Sequence, residues 1–251
     1  KNKVNKILIK NNKINGIELK NNKVIDCDTI IFNGDPKALF DGLLGDEIQN
    51  AVSNNNINKR SLSAYVWSFA AKTQGLDLLH HNVLFNKNYK SEFDDIKRGE
   101  IPKDPTLYIC AQGSINNPRP KEKSMGRFEI IINGSPTYNH KKYNKQNEYT
   151  KCKEITFSIL DSMGLKMDLK PTEEMLTTPK EFEQLFPGSQ GSLYGRTPHG
   201  ISSTFMRPRN KSKIKGLILA GGGTHPGAGI PMACLSGKHA AEMILKDLNL
   251  T

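Results

Sequence analysis

The sequence predicts an α/β fold, and three stretches carry that expectation. A short β-meander opens the chain, a middle region alternates apolar strand-like runs with amphipathic helices, and a strand, a glycine loop and a helix close it. In the opening stretch, residues 3–32, apolar positions recur in bursts (Val4, Ile7 and Ile9; Ile14, Ile17 and Leu19; Val24) separated by Asn11-Asn12 and Asn21-Asn22. Alternation broken by asparagine pairs is the pattern of antiparallel strands joined by tight turns. The last burst, Thr29-Ile30-Ile31-Phe32, is continuous, which predicts a strand buried on both faces. Asn33-Gly34 turns the chain, and Asp35-Pro36 offers an N-cap followed by proline at the first helical position. A helix carrying Leu39, Phe40, Leu43 and Leu44 is expected next.

The middle region, about residues 60–207, predicts strands at Ser63 to Ala71, Val83 to Phe85, Thr106 to Ala111 and Phe128 to Ile132. Helices are expected near Glu154 to Met163 and from Pro179 to Phe186. The second opens on Thr178-Pro179-Lys180-Glu181, a capping box. At the end, Gly216 to Ala220 is a short apolar strand that runs into three glycines. Residues 231–247 then carry Met232, Leu235, Ala240, Met243 and Ile244 at helical spacing.

Composition narrows the function classes. The 251 residues are 36% hydrophobic, enough for one large or two modest cores. The net charge of +11 comes mostly from lysines scattered among asparagine-rich turns, with no interleaving of arginine and aromatic residues, so a nucleic-acid partner is not expected. Cys27, Cys110, Cys152 and Cys234 form no CxxC pair, which points away from a zinc site or a disulfide framework and toward a reducing cytoplasm. No apolar run reaches the roughly 18 residues of a spanning helix, so any membrane contact is expected to be peripheral. The chain opens on Lys1 and moves directly into strand-like sequence, as a piece of a longer protein would.

The chemistry concentrates in Gly221 to Met232. Glycine lets an electron-rich ligand approach the backbone, and the N–H groups that open a helix supply positive potential. Gly229 stands at the expected N-cap, Pro231 in the first turn, and the amides of Ile230 and Met232 are placed to face a ligand. Glycine count alone leaves a nucleotide cradle and an ordinary strand-to-helix turn equally open.

The string Leu219-Ala220-Gly221-Gly222-Gly223-Thr224-His225-Pro226-Gly227-Ala228-Gly229-Ile230-Pro231-Met232, with Leu235-Ser236-Gly237-Lys238 after it, resembles the C-terminal signature of the phytoene desaturase family of carotenoid desaturases, within the amine-oxidase-like flavoproteins. The stretch Val24 to Pro36, His80 to Val83, Tyr89 to Phe93, Asp104 to Thr106, Gly191 to Gly195 and Arg207-Pro208 are similar to further blocks of that family. Trp67 to Ala71, His81 to Phe85 and Tyr108 to Gln112 resemble hydroxy- and methoxy-carotenoid 3,4-desaturases in particular.

The resemblance implies FAD as cofactor, with Gly221, Gly222, Gly223, Thr224, His225, Pro226, Gly229, Ile230, Pro231 and Met232 near its isoalloxazine and ribityl end. It implies a partial Rossmann-like FAD-binding domain at 1–36 and 208–251, around an inserted α+β substrate domain with a mixed sheet at 37–207. The N-terminal GxGxxG and its βαβ unit, which hold the ADP half in the family, are absent. A missing N-terminal half, weak FAD retention by the fragment and an unpaired sheet edge are the expectations that follow.

It further implies hydride removal from a long apolar carotenoid, on a protein lying peripherally on the inner face of the cell membrane. Tyr65, Trp67, Phe69, Phe85, Tyr108 and Ile130 alternate along the predicted strands and are candidates to line a substrate slot, with ordinary core packing as the other reading. Tyr194, Arg196 and His199 are candidates for meeting the carotenoid end group or for capping a loop. His225 is the candidate catalytic residue, orienting the cofactor or moving a proton, with a purely structural role beside it. His80 and His81 are adjacent, so within a strand they point to opposite faces, and no metal site is expected there. A phytoene desaturase, a carotenoid isomerase, an amine-oxidase-like enzyme and a basic module binding lipid or nucleic acid remain open as other outcomes.

Overall fold

The structure is a computed structural model that describes residues 2–54, 57, 59–112, 125–139, 144–197 and 206–248. The chain divides into two compact units, Lys1–Ser61 with Glu183–Thr251, and Leu62–Phe182. The second unit is shorter at both ends than the 37–207 expected of the inserted domain. Leu39, Ile48, Ala51 and Val52 pack with Ile7, Ile14, Leu217 and Leu219 in the core of the first unit instead.

In the first unit, β1 (Val4–Lys10), β2 (Lys13–Leu19) and β3 (Val24–Asp26) form the expected antiparallel meander. Asn11 and Asn12, at φ 51° and 58°, make the two-residue turn between β1 and β2, a conformation asparagine tolerates better than most residues. β4 (Ile30–Phe32) leaves the meander and pairs in parallel with β11 (Leu217–Leu219), Ile31 opposite Ile218. Ile30 and Phe32 pack against the core while Ile31 is 53% exposed, so β4 buries one face rather than the expected two. α1 (Pro36–Phe40) starts where expected, with the Asp35 carboxylate accepting the Lys37 amide at 2.9 Å. It is only five residues long: the chain turns through Gly42 at φ 72° and continues as a 3-10 turn, Asp46–Ala51, leaving Leu43 exposed. β11 is buried on both sides, Leu217 and Leu219 in the main core, Ile218 and Ala220 against Ala240, Met243 and Ile244 of α5 (Ile230–Asp247).

The second unit holds β5 (Ser63–Gly75), β6 (His81–Leu84), α2 (Tyr89–Lys97), β7 (Leu107–Gln112), β8 (Gly126–Gly134), α3 (Lys145–Ser162), β9 (Leu165–Asp168) and β10 (Leu176–Thr177). The strands form an antiparallel sheet in the order β10-β5-β8-β7-β6, with β9 on the far end of β5. α4 (Pro179–Leu185) begins at the boundary between the units. The predicted capping box is formed there, with the Thr178 amide donating to Glu181 Oε2 at 2.8 Å and the Glu181 amide to Thr178 Oγ1 at 3.4 Å.

Register decides what each sheet face carries. Ser63 pairs with Gly134 and Trp67 with Ile130, which puts Tyr65, Trp67, Phe69, Ile130, Ile132, Leu107 and Ile109 on one face. That face forms the core with Cys152, Leu160 and the half-buried Phe157 of α3. The opposite parity places Val66, Ile131, Tyr108 and Val83 in a row across four strands of the other face, with Ser68, Glu129, Cys110 and His81 in the next row.

Candidate cofactor site

The glycine loop starts as the sequence predicts. Beyond β11 the Ala220 amide donates to the Phe32 carbonyl at 3.0 Å, extending the parallel pairing by one rung and delivering the loop beside the end of β4. Gly221 sits at φ 105°, and a Cβ there would run into the Asn33 side-chain oxygen, so two constraints require glycine at this position. The loop is pinned from inside. Gly221 N donates to Ser236 Oγ at 3.2 Å, and Asn210 Nδ2 reaches the carbonyls of Leu219 and Ser236 at 2.8 and 2.9 Å. These bonds tie the first turns of α5 to the end of β11.

At the other end of the loop Gly229 caps α5 at φ 96°, with no side-chain cap and no atom within 4 Å of where its Cβ would lie. An 18-residue helix whose opening amides are uncapped, with open space before them, is an anion-receptive feature. Pro231 takes the first turn, where its lack of an N–H costs nothing. Ile230, Pro231 and Met232 are exposed.

Beneath the loop lies a feature no local spacing announced. Arg60, Arg196 and Arg207 are 8%, 8% and 6% exposed. Arg207 donates to the Gly222 carbonyl and to the Arg196 carbonyl, both at 2.9 Å. Arg60 pairs with Asp35 and also donates to the carbonyls of Ser189 and Ile57. Burial, then the neighbouring charge of Arg60 and also of Arg196, pushes the Arg207 guanidinium below its ordinary range, against the opposing pull of Asp35. Arg60 is thus answered by a carboxylate, while Arg207 is held on backbone carbonyls. Close by, Thr224 is fully buried with its Oγ1 unpaired. Uncapped helix amides, the unpaired Thr224 hydroxyl and the Arg207 guanidinium held on backbone carbonyls together fit an electron-rich, anionic group such as a flavin nucleotide.

The remaining expected residues fall differently. Gly221, Gly222, Gly223, Thr224, Pro226 and Gly229 share this loop with His225, whose amide donates to the Pro208 carbonyl at 2.7 Å. Arg196, a candidate for a carotenoid end group or for capping a loop, is buried, and its carbonyl accepts from Arg207 at 2.9 Å. Tyr194 is 52% exposed, and its amide donates to Ser61 Oγ at 3.1 Å. His199 lies outside the described residues. Tyr65, Trp67, Phe69 and Ile130 fill the core under α3. Trp67, fully buried, stacks edge-on to Phe157 and donates to Thr156 Oγ1 at 3.1 Å, which is the core-packing reading of these residues. Tyr108 stands on the opposite face, its hydroxyl 2.7 Å from His81 Nδ1, and Phe85 is 81% exposed. Val66, Ile131 and Val83 stand on that opposite face with Tyr108.

Comparison with known proteins agrees with this architecture. Residues 160–245 match the family model of flavin containing amine oxidoreductase. The chain is 49% identical over 224 residues to hydroxyneurosporene desaturase of Cereibacter sphaeroides, covering 89% of this chain and 44% of that protein. It is 38% identical over 251 residues to hydroxyneurosporene desaturase of Rubrivivax gelatinosus, covering 98% and 47%. An oxidoreductase from Methanosarcina mazei shares the fold at a TM-score of 0.51 and 14% identity, over 96% of this chain and 49% of that one. The chain thus spans somewhat under half the length of the curated relatives it matches. A parallel strand pair delivering a glycine loop to an uncapped helix, within a sequence this close to those desaturases, places the chain in the carotenoid desaturase family of flavin-containing amine oxidoreductases.

Proposed function

We propose that this chain is the substrate-binding and flavin-closing part of an FAD-dependent desaturase acting on a hydroxylated or methoxylated carotenoid, introducing a 3,4 double bond. The observation that carries the reading is the buried Arg207, held on backbone carbonyls under the Gly221–Gly229 loop beside the uncapped amides of α5, which suits an anionic ligand where the family holds its flavin. Bound FAD supplies a hydride acceptor. The chain's own residues hold and enclose it. The α5 amides and Arg207 stabilise negative charge, Thr224 Oγ1 offers a hydrogen bond, and Asn210 and Ser236 keep the loop in place. No strong base is needed beside a polyene that delocalises positive charge, so the substrate unit's task is to bind and exclude water. The row Val66, Ile131, Tyr108 and Val83 is the apolar wall that suits this task.

Peripheral binding to the inner face of the cell membrane is part of the same reading. Among the described residues no helix is long and apolar enough to cross a membrane. Val83, Phe85 and Tyr89 are 44%, 81% and 70% exposed around β6, with Lys87 and Lys90 exposed among them, the mixture that seats a protein at an anionic lipid interface. The test is expression of the complete protein in a host that accumulates 1-hydroxyneurosporene. A yellow, FAD-containing protein and a product with one more conjugated double bond are expected. A colourless protein that leaves the pigment unchanged overturns the proposal.

A further inference from the structure

The second unit carries a cluster the desaturase reading does not use. His81 opens β6 directly opposite Cys110 of β7, so their side chains share a sheet face, and His80 sits one residue before the ladder with its carbonyl accepting the Ala111 amide at 2.8 Å. Because His80 is outside the strand, the alternation that would turn the two imidazoles apart does not apply. Their rings lie 4.3 Å apart, edge to face. One ligand atom from each of His80, His81 and Cys110 lies within 4.8 Å of the others.

We propose that His80, His81 and Cys110 form a binding site for a borderline divalent cation of the zinc type. Three observations carry this. His80 Nε2 is 3.8 Å from Cys110 Sγ, while tetrahedral zinc, with bonds of about 2.0–2.1 Å to nitrogen and about 2.3 Å to sulfur, needs its ligand atoms about 3.3–3.6 Å apart. The widest gap has to close by roughly an ångström, and exposed His81 is the side chain with room to move. His80 Nδ1 is sealed from solvent without a hydrogen-bond partner, so the cluster as it stands leaves polar capacity unspent. Tyr108 Oη, at 2.7 Å from His81 Nδ1, supplies the outer hydrogen bond that metal-ligating histidines ordinarily carry and leaves the other ring nitrogen for the ion. Cys110 is buried and His81 exposed, which gives the ion an entry side and a closed side, with a water completing the set. Binding releases the thiol proton and ties the edge strand β6 to β7. The site stands on the sheet of the second unit.

The experiment uses the complete, tag-free flavoprotein, reduced and stripped with chelator, titrated with Zn2+ against a chromophoric chelator and separately with Co2+. One equivalent is expected, with a thiolate-to-cobalt charge-transfer band. Cys110→Ser should abolish the band and weaken Zn2+ at least 10-fold, the scale of a disturbed metal site. His81→Ala should weaken it similarly, while Cys234→Ser, on an exposed cysteine elsewhere, should change neither. Should Cys110→Ser fold poorly, alkylation of the unaltered protein decides: Zn2+ should protect Cys110 from iodoacetamide. Absence of the band, a band that persists in Cys110→Ser, or unprotected Cys110 overturns the site.

Discussion

Replacing Arg207 with methionine removes a guanidinium that donates to the Gly222 and Arg196 carbonyls at 2.9 Å each, while keeping most of the buried stem. Hydrogen bonds from a charged donor contribute about 1.5–3 kcal/mol each, but losing Arg207 also relieves repulsion from Arg60 and Arg196. That relief offsets part of the loss in the flavin-free protein. In the flavin-bound protein the repulsion is already answered by the anion, so there the loss is felt more fully. The difference, about 2–3 kcal/mol, appears as an FAD dissociation constant raised roughly 30- to 150-fold. The assay is titration of the complete, deflavinated protein by quenching of flavin fluorescence, with the melting temperature recorded alongside. A variant that melts earlier yet binds FAD within about threefold of the parent would refute the reasoning, because Arg207 would then be a backbone brace and nothing more.

Burial pushes the Cys152 thiol from its ordinary value near 9 up to about 12. The stability this confers is complete below pH about 9 and is lost as pH rises toward 12, so by pH about 10.5 the parent should lose about 2 kcal/mol more than Cys152→Ala in urea unfolding. Trp67→Ala, which empties a site packed against Phe157 and Tyr149, should cost about 3–5 kcal/mol of stability in the same measurement. Gly229→Val forces a β-branched residue to φ 96° at the mouth of α5, with no neighbour for the new side chain to strike. It should cost about 1–3 kcal/mol of backbone strain and weaken FAD beyond that, as titration would show. Phe85→Glu should lower cosedimentation with anionic vesicles severalfold without changing the melting temperature.

What the sequence made legible was local. The Asn11-Asn12 turn, the Asp35-Pro36 helix start, the capping box at Thr178 and the strand, loop and helix from Leu217 onward each depend on residues a few positions apart, and each is found. Parity was not legible. In Ser63 to Ala71 the first five residues are all buried, so alternation gives no sign of which face meets α3, and Trp67 with its large rings invites assignment to a ligand wall. The partner that decides the matter, Phe157, lies ninety residues on. His80 and His81 escaped for a similar reason: β6 starts at His81, and a boundary error of one residue turns a divergent pair into a convergent one.

The arginine cluster explains why a glycine loop alone reads as ambiguous. Arg60, Arg196 and Arg207 come from three separate stretches; Arg60 is paired with Asp35, while Arg207 is fixed by donating to the carbonyls of Gly222 and Arg196. Carbonyls hold a guanidinium in place without neutralising it, so the geometry is satisfied while the charge is not. A protein that wanted only to brace a turn would gain from an apolar residue there, since burying unpaired charge is costly. Keeping the Arg207 charge behind Gly222 makes sense when a ligand completes the electrostatics. The ligand then adds to the stability of the first unit as the logarithm of one plus its free concentration over its dissociation constant. The loop supplies the approach and Arg207 supplies the reason to bind. Only the first of these leaves a mark on contiguous sequence.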